Sequence, residues 1–144
     1  MSTLGMGWQA WAILAAVFAA LTAIFAKIGV ENVNSDFATF FRTIVVAVVL
    51  GTILLATRQF QPLSSLSPRS LLFLVLSGLA TGASWVCYFR ALKLGNASQV
   101  APVDKLSVVL VALFGVLFLG EHLSPQSWVG VALVGAGAVI MALG

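Results

Sequence analysis

Five long apolar runs fill this chain of 144 residues and carry almost no charge in their interiors. They cover residues 8–30, 37–57, 71–92, 100–119 and 127–143. Each has the roughly 17–25 residues that a helix needs to cross a hydrocarbon core about 30 Å thick. The chain is 61% hydrophobic and only 8% charged, against about 25% charged residues in a soluble domain. It has too few polar side chains to cover a water-exposed surface. In lipid every backbone polar group must find its partner within the protein, so only helices and closed barrels span. Barrel strands alternate apolar and polar residues over about 10 positions. The run Ile44-Val45-Val46-Ala47-Val48-Val49-Leu50 does not alternate. The expected fold is therefore an all-α integral membrane protein, a single domain over residues 1–144 with five transmembrane helices. Five is odd, so the termini fall on opposite faces of the membrane.

The formal net charge is +3. The seven basic residues are scattered at helix ends rather than gathered in a patch, which excludes a nucleic-acid partner. Lys27, Arg42, Arg90, Lys93 and Lys105 belong to the side of the first and third loops; Arg58 and Arg69 belong to the other. The positive-inside rule then places the carboxyl terminus in the cytoplasm by a narrow margin. No Lys or Arg precedes the first run, which is also longer than a signal-peptide core of about 7–15 residues, so it reads as a spanning helix. Cys87 is the only cysteine and His122 the only histidine, so no disulfide, metal site or cofactor is expected. Nor does any nucleophile–base set or glycine-rich phosphate loop point to an enzyme.

Charges at membrane depth are costly and mark function. Arg42 lies about 9 Å into the second run, taking 1.5 Å per residue. Asp104 and Lys105 lie at a similar depth in the fourth, just after Pro102. Arg90 ends the third run, with Trp85 and Tyr88 about a turn away. These groups share one side and are expected to converge on a vestibule. Arg42, Arg90 and Lys105 would form its cationic wall and Trp85 and Tyr88 its aromatic lining, suited to an anionic or zwitterionic metabolite. Asp104 is short for snorkelling and is expected to pair with Arg42 or Arg90, or to carry a proton. Glu121, in Leu119-Gly120-Glu121, is a candidate gate, proton site or cap of the last helix. Small residues repeat at packing distance: Ala12, Ala16 and Ala20; Gly78 and Gly82; Gly130, Gly135 and Gly137. Such residues allow close helix approach in lipid, and the last helix is the best candidate for a dimer contact.

Taken together, Ala101-Pro102-Val103 opening a helix, the apolar run ending Leu119-Gly120-Glu121-His122-Leu123-Ser124, and the glycine-rich last helix resemble the EamA-type half of the drug/metabolite transporter superfamily. The stretch Tyr88-Phe89-Arg90-Ala91-Leu92-Lys93-Leu94-Gly95 followed by Asp104-Lys105-Leu106-Ser107 resembles its short five-helix bacterial members. The resemblance covers the whole chain. Typical relatives carry ten helices as two inverted five-helix halves, and this chain is one half. Substrate in such folds binds between inverted repeats. The resemblance thus implies a homodimer, antiparallel where the two copies rebuild the pseudo-two-fold. Related four-helix multidrug transporters use a carboxylate in their first helix; residues 6–27 contain none. The resulting expectation is a multi-pass inner-membrane transporter, read as an exporter, that moves a small anionic or zwitterionic metabolite by alternating access. The alternatives are a half-transporter working with a sister chain and a non-transporting membrane subunit or scaffold.

Overall fold

A computed structural model describes residues 7–144. Residues 1–6, on which the signal-peptide argument partly rests, lie outside the described residues. Among the described residues all regular structure is helical: α1 (Trp8–Val30), α2 (Ser35–Thr57), α3 (Pro68–Leu94), α4 (Ala97–Asp104), α5 (Leu106–Leu119) and α6 (Pro125–Leu143), with a single 3₁₀ turn at Leu63–Ser65. Five stretches are long and apolar enough to cross a membrane; α4 and α5 together form the fourth, Ala97–Leu119. The chain is an all-α protein with five such helices, as the apolar runs required.

α2, α3, α4 and α6 begin two or three residues before their apolar runs, because the residues that cap or start them are polar or proline. Asn34 caps α2: its Oδ1 accepts from the backbone N–H groups of Asp36 (2.9 Å) and Phe37 (3.1 Å). Ser67 caps α3, its Oγ accepting from Ser70 N–H at 3.0 Å, and Pro68 occupies the first turn, where a missing N–H costs nothing. Ser124 and Pro125 repeat this arrangement at α6. The far ends differ. α2 stops at Arg58, which adopts the left-handed conformation (φ 52°, ψ 38°). Gln59 N–H bonds Leu54 O at 3.0 Å and Arg58 N–H bonds Leu55 O at 3.2 Å, the paired closure that glycine usually makes. α5 stops at Gly120 (φ 68°), a conformation glycine adopts without penalty.

The fourth span is not one continuous helix over residues 100–119, as its apolar run implied. It starts at Ala97 and is interrupted at Lys105. Pro102 has no N–H to offer the carbonyl one turn earlier. The chain tightens behind it: Lys105 N–H bonds Pro102 O at 3.0 Å, and Val108 N–H bonds Lys105 O at 2.9 Å, both three residues back. Such a tightened turn inside a helix is a recurrent mark of a hinge.

Two compact units make up the chain: one is Gly29–Lys93, the other α1 up to Ile28 together with Leu94–Gly144. In the second, α4 and α5 both pack against α6. Gly135 on α6 makes that approach possible, since a Cβ there would stand 3.3 Å from Val109 Cγ2 on α5. Ala138, one turn on, is buried. Lys27, near the end of α1, donates to Gly95 O at 2.9 Å. In the unit Gly29–Lys93, Val30, Thr39, Phe89 and Leu92 are buried. Hydroxyls within the spans return to their own helix: Thr39, Thr43, Thr52 and Thr57 each donate to the carbonyl four residues back at 2.8 Å. That closes polar groups which lipid cannot satisfy.

Candidate functional site

The unit Gly29–Lys93 carries four of the expected site residues. Arg42 lies seven residues into α2, about 10 Å along its axis. Its guanidinium carbon stands 4.3 Å from the centre of the Trp85 ring and 5.5 Å from that of Phe89. Trp85 and Phe89 are four residues apart on α3, so they lie on one face and form a shelf. A cation over aromatic faces is held by the ring quadrupole, most strongly by tryptophan. Tyr88 is half-buried one residue before Phe89.

Arg90 points its charge elsewhere. Its Nε donates to Asp36 Oδ1 at 2.9 Å and its Nη2 to Asp36 Oδ2 at 2.7 Å, a two-pronged pair. Arginine's planar fork makes such two-pronged pairs with carboxylates and phosphates. Three residues along α3, Lys93 Nζ donates to Val33 O in the loop before α2. The two contacts tie the end of α3 to the start of α2 from both sides of the Asn34 cap.

Lys105, Asp104 and Glu121 belong to the other unit. Lys105 Nζ lies 3.3 Å from Asp104 Oδ2, a pair between sequence neighbours at the interruption of the fourth span. The expected partners for Asp104 were Arg42 and Arg90. The structure gives Asp104 its neighbour Lys105 and gives Arg90 to Asp36, because Asp36 opens α2 within reach of the end of α3. Glu121 does not cap α6, a task that falls to Ser124. It folds back instead: its N–H bonds Gly115 O at 3.0 Å, and its Oε2 lies 2.5 Å from where a Cβ on Gly115 would be. Gly115 is buried, and only glycine leaves this seat for the carboxylate.

Sequence reasoning missed Asp36, Phe89 and Gly115. The signal for Asp36 was present: a carboxylate in the first turn of a helix whose loop faces the end of α3. Phe89 is one of ten phenylalanines, and its sequence neighbours do not distinguish it. Among the described residues no group of three or more His, Cys, Asp or Glu side chains is arranged to hold a metal ion.

Five long apolar helices make this a multi-pass membrane protein, and comparison with known proteins gives its class. The EamA-like transporter family matches residues 6–143, and the chain belongs to that family. It is 59% identical over 140 residues to a Sinorhizobium protein described as an uncharacterized transporter in the cobO 3′ region; the match covers 97% of this chain and 99% of that one. It is 35% identical over 77 residues to the uncharacterized transporter YwfM of Bacillus subtilis, covering 53% of this chain but 26% of that protein. No solved structure matches the chain. The protein is thus a multi-pass membrane transporter.

Proposed function

We propose that the protein exports a small anionic or zwitterionic metabolite across the inner membrane by alternating access, as a homodimer. The observation that carries this reading is the interrupted fourth span, with Asp104 and Lys105 paired at the interruption. Transporter sites are commonly built where a spanning helix breaks, because the freed backbone and nearby charges can face a cavity. In the Gly29–Lys93 unit, Arg42 with Trp85 and Tyr88 forms the recognition group. In the other unit, Lys105 and Asp104 are the charged pair at the bend of the fourth span. Arg90 contributes through Asp36, setting the α2–α3 hairpin on which Arg42 and Trp85 stand. Glu121 in its Gly115 seat is the coupling carboxylate.

The dimer reading is supported by exposed surfaces on α3 and α6 that carry glycines. Every residue from Ser67 to Ser84 is exposed. A Cβ on Gly78, Gly82, Gly130 or Gly137 would meet nothing within 4 Å. Glycines at such spacing serve helix–helix contact in lipid. The Bacillus match adds a second line: 77 residues are 26% of a protein of about 300, roughly twice the length of this chain. An antiparallel pair would restore the inverted repeat, and the narrow Lys/Arg bias permits insertion both ways.

Reconstitution tests the function. Purified protein in liposomes should release preloaded carboxylate metabolites faster than protein-free liposomes, and an Asp104→Asn, Lys105→Gln variant that still folds should not. A half-transporter with a sister chain predicts no flux from the chain alone and full flux on co-reconstitution. Flux equal to that of protein-free liposomes under both conditions would refute transport.

A further inference from the structure

We propose that Arg42 is the single anion-binding group of the transport site and that its ligand is a monocarboxylate with an apolar or aromatic body. The inference rests on the transporter reading and narrows it. Five cations lie on the side of the first and third loops, and the structure separates them by what their donors already hold. Lys27 is on the Gly95 carbonyl, Lys93 on the Val33 carbonyl, Arg90 on both oxygens of Asp36, and Lys105 on Asp104. Arg42 differs. Among the described residues its guanidinium has no hydrogen bond and no carboxylate partner; it stands over the ring faces of Trp85 and Phe89 and within electrostatic reach of Tyr88.

A guanidinium has five N–H donors lying in its own plane. Ring faces hold the charge without accepting those hydrogens, so the fork remains open for a planar carboxylate. A half-buried guanidinium at this depth with no acceptor is expensive unless a ligand completes it. Within the Gly29–Lys93 unit Arg90 is matched by Asp36, and Arg42 is the cation that stands on the aromatic shelf. A ligand with one negative charge matches that single guanidinium, and a second negative charge at this depth would need a partner of its own. The shelf fixes the rest of the ligand. Trp85 and Phe89 present apolar surface beside the fork, where a polar body would lose its hydration without gaining partners. Arg90 and Lys93 are positioning residues for this site: they hold the helix ends and do not touch the ligand.

Trp85 provides a readout. A variant with Trp8→Phe, Trp11→Phe and Trp128→Phe keeps Trp85 as its sole tryptophan. The probes are benzoate, phenylacetate and 4-methylpentanoate, with benzylamine and inorganic phosphate as contrasts. The carboxylates should shift Trp85 emission saturably, benzylamine should not, and phosphate should bind at least about tenfold more weakly. Arg42→Lys keeps the charge but loses the fork, and should weaken the carboxylates by about 10–100-fold. Arg42→Gln should abolish the response while far-ultraviolet circular dichroism remains that of the parent. Arg69→Gln, which removes a cation from the opposite end of α3, should leave the probe affinity within about threefold. The proposal falls if none of the three carboxylates gives a saturable response, if benzylamine matches them, or if Arg42→Gln retains parental affinity. It also falls if Arg69→Gln costs as much affinity as Arg42→Lys. Carboxylate binding without flux in liposomes, either alone or on co-reconstitution with a sister chain, would refute the transport reading and leave the Arg42 site standing.

Discussion

Gly82 gives the sharpest test of whether two copies meet in the membrane. It sits in the middle of α3, four residues after Gly78, in the stretch whose every residue is exposed. A Cβ at either position meets no atom within 4 Å. In the single chain the double substitution Gly78→Ala, Gly82→Ala therefore introduces no clash. Helix propensity then decides the sign: alanine is favoured over glycine by about 1 kcal/mol per site. For a chain of this size, each kcal/mol corresponds to about 2–4 °C in Tm. The monomer should become more stable by that order. In a dimer packed through this face, two methyl groups per copy enter a close backbone contact, and association should weaken by at least about tenfold, or about 1.4 kcal/mol. The assay is energy transfer between donor- and acceptor-labelled copies diluted with lipid, alongside thermal unfolding of the same samples. Stability and association should move in opposite directions. A raised Tm with unchanged association would show that α3 is not the contact, and a lowered Tm would show that the face is already occupied within the chain.

Three further outcomes follow from local geometry. Arg58→Gly should raise stability and Gly120→Ala should lower it, each by about 1 kcal/mol, because both positions are left-handed and only glycine is unstrained there; thermal unfolding reads both, and shifts of the same sign would contradict the argument. Pro102→Ala returns an N–H to the fourth span and should straighten it, leaving thermal stability equal or higher while flux falls at least about tenfold; parental flux would remove the hinge from the mechanism. Gly115→Ala places a Cβ 2.5 Å from Glu121 Oε2 but 3.9 Å from its Cγ, so only the end of a flexible side chain must move. Folding should change by no more than about 1 kcal/mol, whereas flux should fall if Glu121 couples from that seat; parental flux would release Glu121 from the role.

Much of the architecture was legible because lipid imposes so narrow a choice. Five apolar runs could only be five spanning helices. The boundaries were read too short at α2, α3 and α6 for one reason: Asn34, Ser67 and Ser124 are polar and lie outside the runs they initiate. Pro102 was visible, but the interruption lies three residues later, where Lys105 N–H is shared between the Ala101 and Pro102 carbonyls. The charges were harder. Depth and side could be counted along the chain, but pairing depends on which helix ends approach. Asp36 and Arg90 are 54 residues apart and meet, while Asp104 turns to the residue beside it. Seven cations and four acids permit many pairings, and hydropathy ranks none of them. The stacking of Arg42 on Trp85 needed two helices at a specific rotation, which no periodicity in α2 or α3 alone specifies.

Efflux from liposomes tests the central claim most directly. Vesicles containing the protein are loaded with a defined mixture of monocarboxylates, dicarboxylates and amines, and their contents are followed by mass spectrometry. The account predicts saturable loss of at least one monocarboxylate, about tenfold or more above protein-free vesicles, with dicarboxylates and amines retained. Arg42→Gln, inserted to the same level, should return that loss to background. Selective loss of amines, or equal monocarboxylate efflux with and without Arg42, would contradict it.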